Sequence, residues 1–219
     1  MRLALFGPPG AGKGTQAHRL ADRFGMALIA TGDIFRDNVA GGTPLGQEAK
    51  AFMEKGELVP DDVVVRMVLE RVDEPDAKDG FILDGFPRTL GQAIALEQAL
   101  AQQDRPLSAV LKFVLSDEVA VKRLAGRRTC TRCQRSYNVE YHPAKRDDVC
   151  DVCGGELVQR RDDSEETVRH RIEVYHRQTE PLEFFFWERG LLRQVDADGT
   201  EDEVTERAVD AISDLAVDS

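Results

Sequence analysis

Gly7-Pro-Pro-Gly-Ala-Gly-Lys-Gly-Thr15 is the stretch that most restricts what this chain can become. It follows the apolar run Leu3 to Phe6, a length that suits a buried strand, and precedes Gln16 to Phe24, whose apolar spacing is helical. Strand, glycine loop and helix in that order form an anion site. Glycines let the backbone come close, and the helix aims its unpaired amides and positive dipole end at the same point. A polyphosphate fits there, with Lys13 reaching its outer phosphates. The pattern G-x-x-x-x-G-K is met at Gly7, Gly12 and Lys13, but Gly14 stands where a hydroxyl commonly ligates magnesium. The hydroxyl comes one residue later, at Thr15.

The rest of the chain has to build a sheet around that strand. Met26 to Ala30, Gly80 to Asp84, Ala109 to Leu115 and Leu191 to Val195 read as four further short buried strands, each separated from the next by helical spacing. Thr31-Gly32-Asp33 reads as a turn offering N-caps to a helix from Ile34, and Asp61-Asp62 opens another. Thr89 to Gln103, Ser116 to about Gly126 and Glu201 to Leu215 read as helices too. Five strands alternating with helices predict a doubly wound α/β core, its parallel sheet covered on both faces. Asp84 then falls at the carboxyl end of a strand, where such sheets bind ligands.

Two segments break the alternation. Residues 31–60, with breaks at Gly41-Gly42-Thr43-Pro44 and at Gly56 to Pro60, read as a small helical insertion. Residues 127–163 have polar turns and four cysteines, and read as a second inserted lobe. Helical spacing returns at Ser164, with Asp163 and Glu166 fitting a capping box, and runs to about Gln178 before Pro181 interrupts it. The core is therefore expected at 1–30, 61–126 and 164–219. The aromatic run Phe184 to Trp187 reads as packing at a helix end.

Forty acidic against 29 basic residues give a formal charge of −11, which opposes nucleic-acid binding in the absence of a continuous basic patch. No apolar run is long enough for a membrane span, and the opening residues do not resemble a signal sequence, so a cytoplasmic protein is expected. In that compartment Cys130-Thr-Arg-Cys133 and Cys150-Asp-Val-Cys153 read as two metal knuckles converging on one structural zinc, with two disulfides as the alternative. His142 reads as a loop residue and not a ligand.

Phosphoryl transfer requires positive groups around the moving phosphate, and planar arginines clamp its oxygens well. Arg36, Arg88, Arg123, Arg127, Arg160 and Arg171 lie around the two insertions and the glycine loop, with Arg123 and Arg127 expected on one helix face.

Gly7 to Thr15, Thr31-Gly32-Asp33, Asp84-Gly-Phe-Pro-Arg-Thr89 with Gln92, Gly126-Arg-Arg128, and Arg160-Arg-Asp-Asp163 followed by Glu166 to Arg171 together resemble the adenylate kinases of the long bacterial type with a zinc-binding lid. The resemblance covers residues 1 to about 200. It implies the P-loop nucleoside-monophosphate kinase fold, residues 31–60 as the monophosphate lobe and 127–163 as the lid. It also implies reversible Mg²⁺-dependent transfer from ATP to AMP, giving two ADP. Gly10, Ala11, Gly12, Lys13, Gly14, Thr15, Arg123 and Arg127 would bind ATP. Thr31, Gly32, Arg36, Glu57, Leu58, Val59, Gly85, Arg88, Gln92, Arg160 and Arg171 would bind AMP. Lys13, Arg88, Arg127, Arg160 and Arg171 would act in the transfer, and Asp84 would hold Mg²⁺ through water.

The family places Thr-Gly-Asp after its second strand with AMP, and Ala-Gly-Asp with UMP or CMP; Thr31 favours AMP, with a pyrimidine kinase as the alternative. Thr31 and Gln92 also have local readings, as an N-cap and as the third residue of a Thr89-x-x-Gln92 capping box. Glu201 departs from the family, which usually has Lys after Gly-Thr. A zinc-containing nucleotide sensor without turnover is the reading from another class, and a nucleic-acid-binding zinc protein a weaker one. A monomer is expected, because both lobes must swing.

Overall fold

The computed structural model describes residues 1–215; the last four residues of the segment expected to complete the core lie outside them. β1 (Arg2–Phe6), β2 (Ala27–Ala30), β3 (Phe81–Asp84), β4 (Ala109–Val114) and a late strand at Leu192–Asp196 form one sheet, in the order β2, β3, β1, β4, late strand. Every pairing in it is parallel. Alternation along the strands divides the core into two layers. Leu3, Leu5, Ile82, Leu111 and Phe113 face α1 (Lys13–Phe24) and the C-terminal helix at Glu201–Asp210. Ala4, Phe6, Phe81, Leu83 and Val110 face α4 (Asp61–Val72), α5 (Leu90–Gln102) and the helix at Leu182–Glu188.

Between β2 and α4 come α2 (Thr31–Ala40) and α3 (Pro44–Lys55). Thr43 caps α3, its hydroxyl accepting from the Gly46 amide at 3.1 Å, and Pro44 follows at the first helical position, where its missing N–H costs nothing. After α6 (Asp117–Ala125) a separate antiparallel sheet forms from β5 (Arg127–Cys130), β6 (Ser136–Asn138) and β7 (Leu157–Val158). α7 (Glu165–Val174), α8 (Leu182–Glu188), β8 (Leu192–Asp196) and α9 (Glu201–Asp210) complete the order. No described helix is long and apolar enough to cross a membrane.

Four local expectations are corrected. α2 begins at Thr31 with Ala30 at its N-cap and no capping side chain, because the Thr31 hydroxyl donates to β3 instead. Ser164, and not Asp163, caps α7 by accepting from the Thr167 amide, since Asp163 is buried against an arginine. Arg127 opens β5 and shares no helix face with Arg123, as α6 ends at Ala125. The helix expected to run to Gln178 leaves α-geometry at Tyr175, where a wide π-turn, Tyr175–Thr179, closes with the Glu180 amide on the Tyr175 carbonyl. The chain accommodates Pro181, which lacks an N–H, by widening the preceding turn.

The layering makes the core positions unequal. Leu83→Ala, at a fully buried site, is expected to cost about 2–5 kcal/mol, whereas Leu90→Ala, half-exposed on α5, should stay within about 0.5 kcal/mol, as read from urea-unfolding curves.

Candidate active site

The glycine loop joins β1 to α1 and passes under β4. A Cβ on Gly7 would lie 2.4 Å from the Phe113 carbonyl oxygen, so only glycine lets the chain through. Gly12, in the left-handed region, sits at the N-cap of α1 and offers no side-chain acceptor to the first turn, which leaves that turn to an anion. Gly10, Ala11, Gly14 and Thr15 complete the loop and helix start around Lys13. The Lys13 ammonium folds back onto the loop, donating to the Gly7 and Pro8 carbonyls at 2.8 and 2.9 Å. Desolvation lowers its pKa to about 7, Asp84 opposes the shift, and Arg88, Arg171 and Arg127 add to it.

Gly14 has a spatial reason. A Cβ there would stand 3.3 Å from Asp84 Oδ2, so a carboxylate from β3 occupies the space beside the loop. Burial raises the pKa of Asp84, with Lys13 and Arg88 pulling it back. A carboxylate facing the phosphate loop fits a hard cation carried on a polyphosphate, either directly or through water.

One cleft runs from this loop between α2, α3 and α5. It is lined by Lys13, Thr31, Gly32, Arg36, Glu57, Leu58, Val59, Gly85, Arg88, Gln92 and Arg171. Thr31 ties the end of β2 to that of β3, its hydroxyl 3.2 Å from the Asp84 carbonyl and 3.1 Å from that of Gly85. Arg88 donates Nε to the Gly85 carbonyl at 2.7 Å, its backbone carbonyl is held by the Thr179 hydroxyl at 2.9 Å, and desolvation lowers its pKa. Arg36 is paired with Asp33, yet its Nε is buried without a partner. Gln92 makes half of a capping box. Its amide N–H reaches Thr89 Oγ1, but its side chain accepts from the Arg88 amide at 2.7 Å and donates to Asp61 at 2.7 Å.

Arg127 comes from β5, Arg160 from just before the turn Arg161–Asp163, Arg171 from α7 and Arg123 from α6. Arg127 grips the buried Asp163 carboxylate from Nε and Nη2, at 2.8 and 2.5 Å. Arg171 donates to Asp162 at 2.7 Å, and Arg160 donates to the Thr129 hydroxyl at 2.9 Å without lining the cleft itself. Desolvation first, then repulsion from neighbouring arginines, brings Arg160 down to about 9; in Arg171, at about 10, Asp162 partly offsets both. Burial pushes Asp162 up, but Arg171 and Arg127 outweigh it and hold it below the ordinary carboxylate range. Arg123 stands apart, donating to the Ala197 carbonyl at 2.9 Å and facing the Tyr141 ring at 5.7 Å. The Glu201 carbonyl accepts from buried Gln16 at 3.0 Å, while its side chain points to Arg19 and His142.

Several cleft residues escaped the sequence reading. Phe35, Met53 and Val64 form its apolar wall, where their spacing reported only helix packing. Asp162, which pairs with Arg171 at the cleft, has no role in the sequence reading, and Asp163, expected to cap a helix, pairs with Arg127 instead. Tyr175 lines the cleft with its hydroxyl buried and unpartnered.

Away from the cleft, the four cysteines gather at one end of the small sheet with all Sγ atoms within 4.8 Å of one another. The Cys130–Cys153 and Cys133–Cys150 sulfurs are 3.4 and 3.6 Å apart, too far for the roughly 2.05 Å of a disulfide. They are close to the spacing of about 3.8 Å required when four thiolates surround a metal at about 2.3 Å. The cluster can hold a metal ion. His142 is exposed and lies outside it.

The family model described as adenylate kinase matches residues 5–191. A protein named adenylate kinase from Acidothermus cellulolyticus is 53% identical over 97% of this chain and 98% of its own. One of the same name from Archaeoglobus fulgidus is 52% identical over 92% of both chains. Another from Streptomyces coelicolor is 51% identical over 97% of this chain and 98% of its own.

With its pKa lowered to about 7 by desolvation, Lys13 is expected to carry less than its full charge at pH 8, and a polyphosphate placed beside it would restore that charge. Binding ATP at pH 8 should therefore take up protons. Calorimetry in two buffers of different ionisation enthalpy reads this directly, and a heat independent of buffer contradicts it.

Proposed function

Because this chain belongs to the adenylate kinase family and is an ATP:AMP phosphotransferase, we propose how its own residues divide that reaction. The donor triphosphate lies on the glycine loop from Gly10 to Thr15, with Lys13 released from its loop carbonyls to meet the outer phosphates. Arg123 lies flat against the donor base. The acceptor monophosphate sits in the cleft, its phosphate between Arg36 and Arg88, its base against Gln92, and its ribose side on Glu57, Leu58 and Val59. Thr31 and Gly32 line the base, and Gly85 brings backbone close beside Arg88. The observation carrying this assignment is the convergence of Lys13, Arg36, Arg88 and Arg171 on one cleft opening from the loop.

An oxygen of the AMP phosphate attacks the γ-phosphorus of ATP in line. The bond from that phosphorus to the β,γ-bridging oxygen breaks, and its electron pair leaves on ADP. The attacking oxygen is already ionised near neutral pH, so no general base is needed. Lys13, Arg127, Arg160 and Arg171 surround the three equatorial oxygens and stabilise their charge once the lobes have closed. Mg²⁺, which arrives with ATP and neutralises part of its charge, would be held through water by Asp84. Residues 31–60 and 127–163 act as two lobes closing on their nucleotides, which excludes water as the competing acceptor. The four cysteines would hold a structural zinc, which supplies folding energy to a lobe too small for a core of its own. We further propose a cytoplasmic monomer with no nucleic-acid or membrane partner.

Arg88→Ala is expected to keep ATP binding and to lower AMP-dependent turnover by about a hundredfold or more in a coupled assay; unchanged turnover removes the acceptor assignment. In the same assay AMP, and not UMP or CMP, should drive ATP consumption. Elemental analysis should find one zinc per chain, and Cys133→Ser should lose it together with several degrees of melting temperature. A metal-free wild type of equal stability contradicts the structural role.

A further inference from the structure

The segment that leads into the acceptor cleft is pressed directly onto α7. Glu57 Oε1 and His170 Nε2 are 2.8 Å apart. One residue earlier, Gly56 leaves no room: a Cβ there would lie 2.7 Å from Cγ of Arg171 and 3.2 Å from Cγ2 of Thr167. The turn of helix that carries Arg171 is thus the turn that receives Glu57. A second link, Arg161 to Glu54 at 3.4 Å, is largely solvated and contributes little. The Glu57–His170 contact is half-shielded and charge-assisted, which makes it the stronger of the two. The His170 Nδ1 makes no hydrogen bond among the described residues, with Glu173 3.8 Å away and beyond range. The proton therefore belongs on Nε2, where the Glu57 carboxylate accepts it.

We infer that His170 is a positioning residue for the acceptor half of the reaction. It holds Glu57, so that the closed arrangement, with the segment Glu57 to Val59 laid against α7 and in register with Arg171, is favoured before the monophosphate arrives. The inference rests on the acceptor reading of that segment. The ring touches no substrate; its effect runs through Glu57. Ordering the segment in advance removes an entropic cost that AMP would otherwise meet on binding, and leaves the donor site, on the other side of the glycine loop, untouched.

The test is calorimetric affinity for AMP and for ATP, with steady-state kinetics, on the full chain carrying its metal. His170→Ala should weaken AMP about five- to tenfold and leave ATP within about twofold. His170→Gln, whose amide can still donate to Glu57, should recover most of the loss. Glu57→Ala, which also removes a contact to the acceptor, should weaken AMP at least as much as His170→Ala, and the double variant should be no worse than Glu57→Ala. A merely structural histidine would shift both nucleotides alike or neither, and glutamine would rescue nothing; either result overturns the inference. If Arg88→Ala also leaves AMP affinity intact, the acceptor reading itself fails. If Arg88→Ala weakens AMP and His170→Ala does not, only the role of His170 is lost.

Discussion

Positive charge withdrawn from water without enough negative charge beside it governs this molecule. Lys13, Arg88, Arg160 and Arg171 all have lowered pKa values, and in each the largest cause is desolvation. Buried ions are tolerated when an opposite charge and good hydrogen bonds offset the loss of hydration. Asp33, Asp84, Asp162 and Asp163 do this in part, and the orphaned Nε of Arg36 marks where it is incomplete. The cleft therefore holds an excess of positive charge, which suits ligands that bring several negative charges at once.

The sheet makes the arrangement possible. Asp84 lies level with Leu5 on one side and Ala30 on the other, so the ends of β1, β2 and β3 open onto one point. The glycine loop leaves from the first, Thr31 from the second and Asp84 with Arg88 from the third. Arg127 and Arg171 come from elements outside that sheet, and each is held by its own aspartate. In the proposed reaction, substrate phosphates would take over from those carboxylates as partners of the same arginines.

Much of this was legible in the chain because short-range rules dominate there. The five strands, the glycine loop and the cysteine knuckles follow from local periodicity and fixed spacing, and all appear in the structure. What failed was local logic overruled by a distant partner. Thr31 looked like an N-cap, but a hydroxyl beside two carbonyls of β3 has a better use. Asp163 looked like the end of a capping box, but a buried carboxylate goes to Arg127 first. The apolar wall from Phe35 and Met53 carried no signal of its own, since a side chain packed against a cleft and one packed in a core have the same spacing.

The buried link between Gln16 and Thr205 spans 189 residues, and the Gln16 contact with the Glu201 carbonyl spans 185. α1, which follows the glycine loop, is therefore sealed against α9 near the end of the described chain. The sheet alone covers part of the apolar side of α1, through Leu3, Leu5 and Ile82, and α9 closes the rest. The helix behind the glycine loop is thus completed by contacts of very long sequence separation, the kind that carry the largest loop-closure cost in folding.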